Sequence, residues 1–220
     1  MMFTESHNTS NGSHGFTLVE LLVSIAIIAI IGAILIPVVG HIRNKVDNTT
    51  CTSNLRQLGQ ALTMFSQEHN GQLPLSMQAD PTNPEIKVSW QILMMRQLEV
   101  PFAKHGDTGV FICPSHRHTY PMEAYRTYAI NLTGGSPISN APRLMTLSDP
   151  STTAILAETK HEANGAGYVS LSGNVNGWGG KHRLEARHDE MMSMFMADGH
   201  VESMAVDDER VEEYLVNIRK

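Results

Sequence analysis

Gly15-Phe16-Thr17-Leu18-Val19-Glu20 opens an apolar run that reaches Ile36. Between residues 16 and 39 the only ionisable side chain is Glu20. A helix over those positions is roughly 36 Å long at ~1.5 Å per residue, and a bilayer core needs about 20 apolar residues. The centre, residues 25–36, carries no polar side chain. A helix that is apolar on every face belongs in lipid or in a core built around it, not on the surface of a soluble domain. One carboxylate near its start is costly in hydrocarbon, by a few kcal/mol if charged and unpaired.

A secretory signal peptide is the competing reading of a greasy N-terminal run. Its apolar core spans about 7–15 residues, follows a basic region and ends at a small-x-small site. This run is longer, has no Lys or Arg before it and has no such site after it. Cleavage behind the run is therefore not expected.

Gly15-Phe16-Thr17-Leu18-Val19-Glu20 resembles the processing signal of type IV pilins and type II secretion pseudopilins. In that family a membrane peptidase, prepilin peptidase, cuts after the glycine and methylates the new terminal amine. Carried onto this chain, the cut falls between Gly15 and Phe16, and Phe16 is N-methylated. Glu20 matches the family's fifth mature residue, which pairs with a neighbouring subunit's amine during assembly. Pro37 matches a proline in the membrane half of the family helix. The family's leaders are usually basic, whereas residues 1–15 contain only Glu5, His7 and His14 as ionisable residues, and Arg43 and Lys45 follow the span. Charge bias read alone would put the N-terminus outside; the resemblance puts it inside.

The chain has 220 residues, a formal net charge of −6 and Lys and Arg scattered along its length. No basic patch or stripe points to nucleic acid. About 150 residues follow the helix, enough for one domain with a modest core. The chain's thirteen methionines fall mostly in apolar-patterned stretches and read as core packing. Cys51 and Cys113 are the only cysteines. Export would permit a disulfide between them; two free thiols are the alternative.

The helix is expected to continue to about residue 69, with a bend near Pro37 and Gly40. Cys51, Leu55, Leu58, Leu62 and Phe65 recur at near-helical spacing, a stripe suited to packing on a sheet or to a coiled-coil seam. Asn70-Gly71 then Pro74 is a helix stop. Residues 72–108 read as loop with a short helix around 89–98. Residues 109–114, 125–132 and 153–158 read as strands, and Gly134-Gly135-Ser136-Pro137 as a turn. Residues 165–180 read as loop interrupted by a short apolar segment at 168–171. Residues 191–196 and 201–206 flank Asp198-Gly199 as a hairpin with a type I′ turn. Asp207 is placed to cap a last helix, with Val211, Leu215 and Ile218 on its buried face.

His188, nine residues, then Asp198-Gly199 resembles the H-x9-DG subgroup of prepilin-like proteins. Cys51-Thr-Ser-Asn-Leu-Arg-Gln-Leu-Gly59, Asn70-Gly71-Gln-Leu-Pro74 and Cys113-Pro-Ser115 resemble it too. The resemblance implies a pilin-like α+β fold: a long N-terminal helix, half membrane and half amphipathic, packed on a small antiparallel sheet, with a short C-terminal helix. The implied organisation is a leader at 1–15, a membrane or filament-core half at 16–39, an amphipathic half at 40–70 and an extracytoplasmic domain at 71–220. Implied partners are prepilin peptidase, other pilin or pseudopilin subunits, an inner-membrane assembly platform and lipid, with no nucleic acid and no enzyme activity. A single-span anchored binding domain that never polymerises is the alternative.

His188 is expected to hydrogen-bond loop backbone beneath the sheet. The sharper alternative is a metal site using His188, His182, Asp189 or Asp198. Calcium, known in major pseudopilins, wants several oxygen ligands, and Asn174, Asn176 and Glu185 form no compact series. Cys113, His116 and His118 have zinc-like residue types, with Cys51 or His105 as conceivable completions but no identifiable fourth ligand. No cofactor or metal is assigned. No nucleophile elbow, phosphate-binding loop or close carboxylate pair supports catalysis.

Overall fold

A computed structural model of the chain describes residues 16–100, 109–116, 127–133, 141–160, 170–173 and 181–219. The leader with Gly15, the 134–137 turn and the side chains of His105, His118, Asn174 and Asn176 lie outside them. The chain divides into two compact units, Met1–Arg43 and Asn44–Lys220.

Helix α1, Leu18–Glu68, runs through Pro37 and Gly40 without losing helical residues. No side chain between residues 16 and 46 is buried. Its buried positions begin at Cys51 and follow the stripe at Leu55, Leu58, Leu62 and Phe65. After α1 the backbone turns through Asn70 (φ 54°) and Gly71 (φ 80°). Gly71 N–H reaches back to the Ser66 carbonyl at 2.7 Å, the six-to-one bond that closes a helix end with a left-handed residue.

Residues 72–100 hold more than a helix. Strands β1 (Met77–Asp80) and β2 (Asn83–Ser89) form an antiparallel hairpin ahead of α2 (Trp90–Gln97). The expected loop was wrong here because Pro, Asn and Asp mark the hairpin's tight turn and its exposed edge, while only Val88 and Ser89 of β2 are buried. Residues 109–114 correct a second expectation. They make turns, with Ile112 N–H on the Gly109 carbonyl and His116 N–H on the Cys113 carbonyl, each at 3.0 Å. A short continuous apolar run cannot be assigned by periodicity, and here adjacent Phe111, Ile112 and Cys113 are all buried.

The main sheet has five strands in the order β5-β3-β4-β6-β7. These are β3 (Tyr128–Thr133), β4 (Ala154–Glu158), β5 (Ser170–Gly173), β6 (Met191–Met196) and β7 (Val201–Ala205). All pairings are antiparallel except β3 with β5. With β4 already on one edge of β3, β5 takes the other edge and runs parallel to it.

Both sheet faces are covered. Tyr128, Ile130, Leu132 and Phe195 join the core of the α1 stripe and α2. Ala129, Met192, Met194, Met196 and Met204 join Val211, Tyr214 and Leu215 of the last helix. Alternation along β3 and β6 sends successive residues to opposite cores. On β4 a register shift between Ala154 and Leu156 lets Ile155 and Leu156 share one core. Gly59 is where α1 meets β6: a Cβ there would lie 2.3 Å from the Phe195 ring.

Helix α3, Arg210–Val216, closes the chain before a 3-10 turn at Asn217–Arg219. Val211, Leu215 and Ile218 are buried, with Tyr214 beside them. Asp207 does not cap it. The Asp208 carboxylate accepts from Arg210 N–H at 2.9 Å and the Asp208 carbonyl from Val211 N–H at 3.2 Å. Asn131 ties helix to sheet, donating to the Ala154 and Leu215 carbonyls at 2.8 and 3.1 Å.

Candidate functional site

The N-terminal end of α1 carries the first group of candidate residues. Phe16 is exposed. Thr17 and Glu20 form a reciprocal pair at the helix start. Thr17 N–H donates to Glu20 Oε2 at 2.8 Å, and Glu20 N–H donates to Thr17 Oγ1 at 3.3 Å. The Thr17 hydroxyl also donates to the same carboxylate at 2.8 Å. This is a capping box, in which a hydroxyl and a carboxylate three residues apart satisfy each other's backbone donors. The carboxylate also faces the positive end of the helix dipole. Glu20 therefore has a local structural role in a single chain. The T-x-x-E spacing of Thr17 and Glu20 is the sequence signal for it. Pro37 lies inside the helix, where its missing N–H removes one rung of the ladder.

The second group lies in the unit Asn44–Lys220. Cys51 on α1 and Cys113 in the 109–116 turn form a disulfide, with Cα atoms 4.9 Å apart and 62 positions between them in sequence. Closing a loop of that length constrains the unfolded chain by about 4 kcal/mol in the chain-entropy account. The turn is also held by Asn54, whose Nδ2 donates to the Ile112 carbonyl at 3.1 Å. Cys113 N–H donates to Thr127 Oγ1 at 2.7 Å. Tyr128 donates its hydroxyl to the Cys51 carbonyl at 3.3 Å. Burial, and then the Glu158 carboxylate, push the Tyr128 phenol well above its ordinary pKa, so it stays a donor.

His188 sits against this disulfide, with Nε2 3.3 Å from Cys113 Sγ and 3.2 Å from Glu158 Oε1. Its Nδ1 is 3.2 Å from Ser115 Oγ. Glu158 Oε2 accepts from Ser193 N–H at 2.9 Å. Cys51, Cys113, Glu158 and His188 are all buried, and one ligand-type atom from each lies within 4.8 Å of the others. The expectation of loop-backbone partners for the His188 ring is corrected: its ring partners are side chains. Its backbone exchanges both hydrogen bonds with Met191, the first residue of β6, at 3.1 and 2.9 Å. Glu158 and Ser115 were not singled out as its partners. Glu158 ends an otherwise apolar strand, and Ser115 follows Cys113 by two, which were the available signals.

Between His188 and Met191 the backbone passes through Asp189 (φ 50°) and Glu190 (φ 64°). Two positive φ values at the centre of a two-residue loop are the mark of a type I′ turn. At Asp198-Gly199, where that turn was expected, only Gly199 is left-handed (φ 100°). Gly199 N–H bonds the Met196 carbonyl at 3.0 Å and Met196 N–H bonds the His200 carbonyl at 2.9 Å. That is a three-residue loop with glycine at the bulge. Asp198 Oδ1 accepts from His200 N–H and faces His200 Nδ1, at 3.1 and 2.6 Å. His188 and Asp198 thus bracket β6 from opposite ends, separated by a strand of about 17 Å at ~3.3 Å per residue. They share no site.

Among the described residues the remaining metal candidates do not converge. His182 and Asp189 are exposed. Glu185 pairs with Arg187 at 2.6 Å, and Arg187 also donates to the Thr127 and Thr159 carbonyls. These residues give calcium no set of oxygen ligands.

Among known families, the model of the prokaryotic N-terminal methylation motif matches residues 10–36. No curated protein and no solved structure matches the chain. The motif supports a prepilin-like subunit processed by a peptidase, with pilin-like subunits as partners. The fold, a long N-terminal helix with a small, largely antiparallel sheet and a short C-terminal helix, is of the pilin-like α+β kind. The motif together with one apolar helix long enough to cross a membrane is consistent with a single-pass anchor.

Proposed function

We propose that the chain is a non-enzymatic subunit of a type II secretion pseudopilus or type IV pilus-like filament, of the H-x9-DG kind. Prepilin peptidase cuts between Gly15 and Phe16 and methylates Phe16. The apolar half of α1 then resides in the bacterial inner membrane, with the Asn44–Lys220 unit outside, until an assembly platform extracts it. In the filament, Glu20 meets the Phe16 amine of a neighbouring subunit.

The observation that carries this reading is the methylation motif at residues 10–36 standing on a helix with no buried side chain from Leu18 to Val46. An apolar stretch of that length requires lipid or neighbouring helices around it. Assembly provides both in turn. The Glu20 carboxylate is costly in hydrocarbon, and a neighbour's amine lowers that cost only when subunits stack in register.

Glu20→Ala tests the reading. Membrane insertion should persist and incorporation into filaments should fall to background, measured by shear fractionation and electron microscopy. Normal incorporation of the variant would overturn the assembly role of Glu20, and absence of the wild-type chain from filaments would favour the anchored, non-polymerising domain instead. Mass spectrometry of the membrane-extracted chain should find methylated Phe16 at the N-terminus; an unprocessed Gly15-Phe16 bond would refute the processing step.

A further inference from the structure

The disulfide is surrounded by more chemistry than a disulfide needs. A buried carboxylate, Glu158, and a buried imidazole, His188, converge on Cys113 Sγ. Each is held from behind, Glu158 Oε2 by Ser193 N–H and His188 Nδ1 by the Ser115 hydroxyl. Neither sulfur of a disulfide carries a charge for them to answer. Two thiolates and a bound cation would.

We propose that, when the Cys51–Cys113 disulfide is reduced, Cys51, Cys113, His188 and Glu158 form a closed zinc site. The ligand atoms already lie within 4.8 Å of one another. Zinc bonds sulfur at ~2.3 Å and imidazole or carboxylate at ~2.0–2.2 Å, so tetrahedral ligand pairs stand about 3.5 Å apart for S and N and about 3.3 Å for N and O. Cys113 Sγ to His188 Nε2 is 3.3 Å and His188 Nε2 to Glu158 Oε1 is 3.2 Å. Two edges of the tetrahedron are therefore in place within a few tenths of an ångström.

The outer groups fit as well. A metal-bound imidazole gives its other N–H to an oxygen, and a bound carboxylate is itself hydrogen-bonded. Ser115 and Ser193 N–H occupy those positions. The four ligands come from α1, the 109–116 turn, the end of β4 and the residue before the 189–190 turn. The ion would join the same two segments that the disulfide joins. Two thiolates select zinc over calcium or magnesium, which take oxygen ligands.

The chemistry balances with a dithiol as reductant. Thiol–disulfide exchange transfers two electrons and two protons to the protein sulfurs, and the dithiol leaves as its own disulfide. Zinc then displaces both thiol protons to solvent. The His188 proton moves to Nδ1, facing Ser115, and frees Nε2 for the metal. Exchange with a small-molecule disulfide reverses this: it accepts two electrons from the two thiolates and two protons from solvent, leaves as its dithiol, re-forms the Cys51–Cys113 bond and releases the ion.

The test uses the untagged full chain in detergent, reduced with a phosphine, which unlike a dithiol leaves zinc uncomplexed. With Zn²⁺ added, one ion per chain should bind in competition with a chromophoric chelator, and the melting temperature should rise. Co²⁺ should give the intense visible bands of a tetrahedral ion and a thiolate charge-transfer band. His188→Ala and Glu158→Gln should each weaken Zn²⁺ binding at least tenfold. The Gln variant keeps the side chain's shape, and the wild-type cobalt spectrum reports the ligand set without any substitution. The oxidised chain should bind none at this site. The proposal is overturned if the reduced chain fails to bind zinc stoichiometrically. It is equally overturned if both variants bind like wild type, or if the oxidised chain binds as tightly as the reduced one.

Discussion

Glu190 is an L-residue with a side chain beyond Cβ held at φ 64°, and it is exposed. The left-handed conformation costs such a residue roughly 1–2 kcal/mol, whereas glycine adopts it freely. The turn keeps it because both its neighbours are committed. On one side His188 is locked between the disulfide, Ser115 and Glu158; on the other, Met191 begins β6 in register with Ala205. Two residues must reverse the chain between them, and the primed turns match that loop length and the strand twist; positive φ at both Asp189 and Glu190 makes this one type I′. Glu190→Gly should therefore stabilise the protein, by up to ~1 kcal/mol once the added freedom of the unfolded chain is subtracted. Thermal melting of the oxidised protein checks it; an unchanged or lower midpoint would show that the Glu190 side chain has a compensating contact. Gly199 behaves oppositely: its φ of 100° is one that side chains rarely adopt, so the Asp198-Gly199 pair is tied to its turn by backbone geometry.

At the scale of elements, the β1–β2 hairpin is fastened to α2 by one side-chain fork. Arg96 donates through both terminal nitrogens to the two oxygens of Asp80, each at 2.7 Å, the bidentate geometry that strengthens such pairs. The Arg96 guanidinium, then Thr82 N–H and hydroxyl, hold the Asp80 carboxyl well below its ordinary range. A folded-state pKa below the unfolded one stabilises fully above the unfolded value, about 3.9 for Asp. That contribution is lost as pH falls from there toward the folded value. Hydrogen exchange of the β1–β2 amides should accelerate relative to the main sheet as pH drops below about 4, after correction for intrinsic rates. Asp80→Asn should remove that pH dependence; a retained dependence would place its source elsewhere. This hairpin was also the element least legible in the sequence. Its outward positions from Asn83 to Lys87 are exposed without alternation, so no period of two existed to be read. The long helix was legible because length and a sustained stripe from Cys51 to Phe65 each pointed to it. The 109–114 segment was not, since three consecutive buried side chains fit a strand and a turn equally. The disulfide neighbours escaped for another reason: His188, Glu158 and Ser115 are 30 and 73 positions apart, and only the folded sheet brings them together.

For the whole molecule, the division between Arg43 and Asn44 falls inside one continuous helix, and it separates two kinds of stability. Before it, large apolar side chains are exposed on every side of α1, from Leu18 through Ile36 to Ile42. Among the described residues nothing covers them, so that part depends on lipid, detergent or other copies. After it lies every buried α1 residue, beginning at Cys51, together with both cores, the disulfide and the His188–Glu158 pair. The second part therefore carries its own packing. A chain beginning at Asn44 should be monomeric in detergent-free buffer and melt cooperatively, within a few degrees of the full chain in detergent. No described side chain of the removed segment is buried, and a loss of roughly 1 kcal/mol would shift such a domain by about 2–8 °C. Static light scattering and calorimetry on the oxidised forms make the comparison. Aggregation of the shortened chain, or a fall in its midpoint beyond that range, would mean that residues before Asn44 stabilise the domain. The apolar half of α1 would then have a folding role besides that of an anchor.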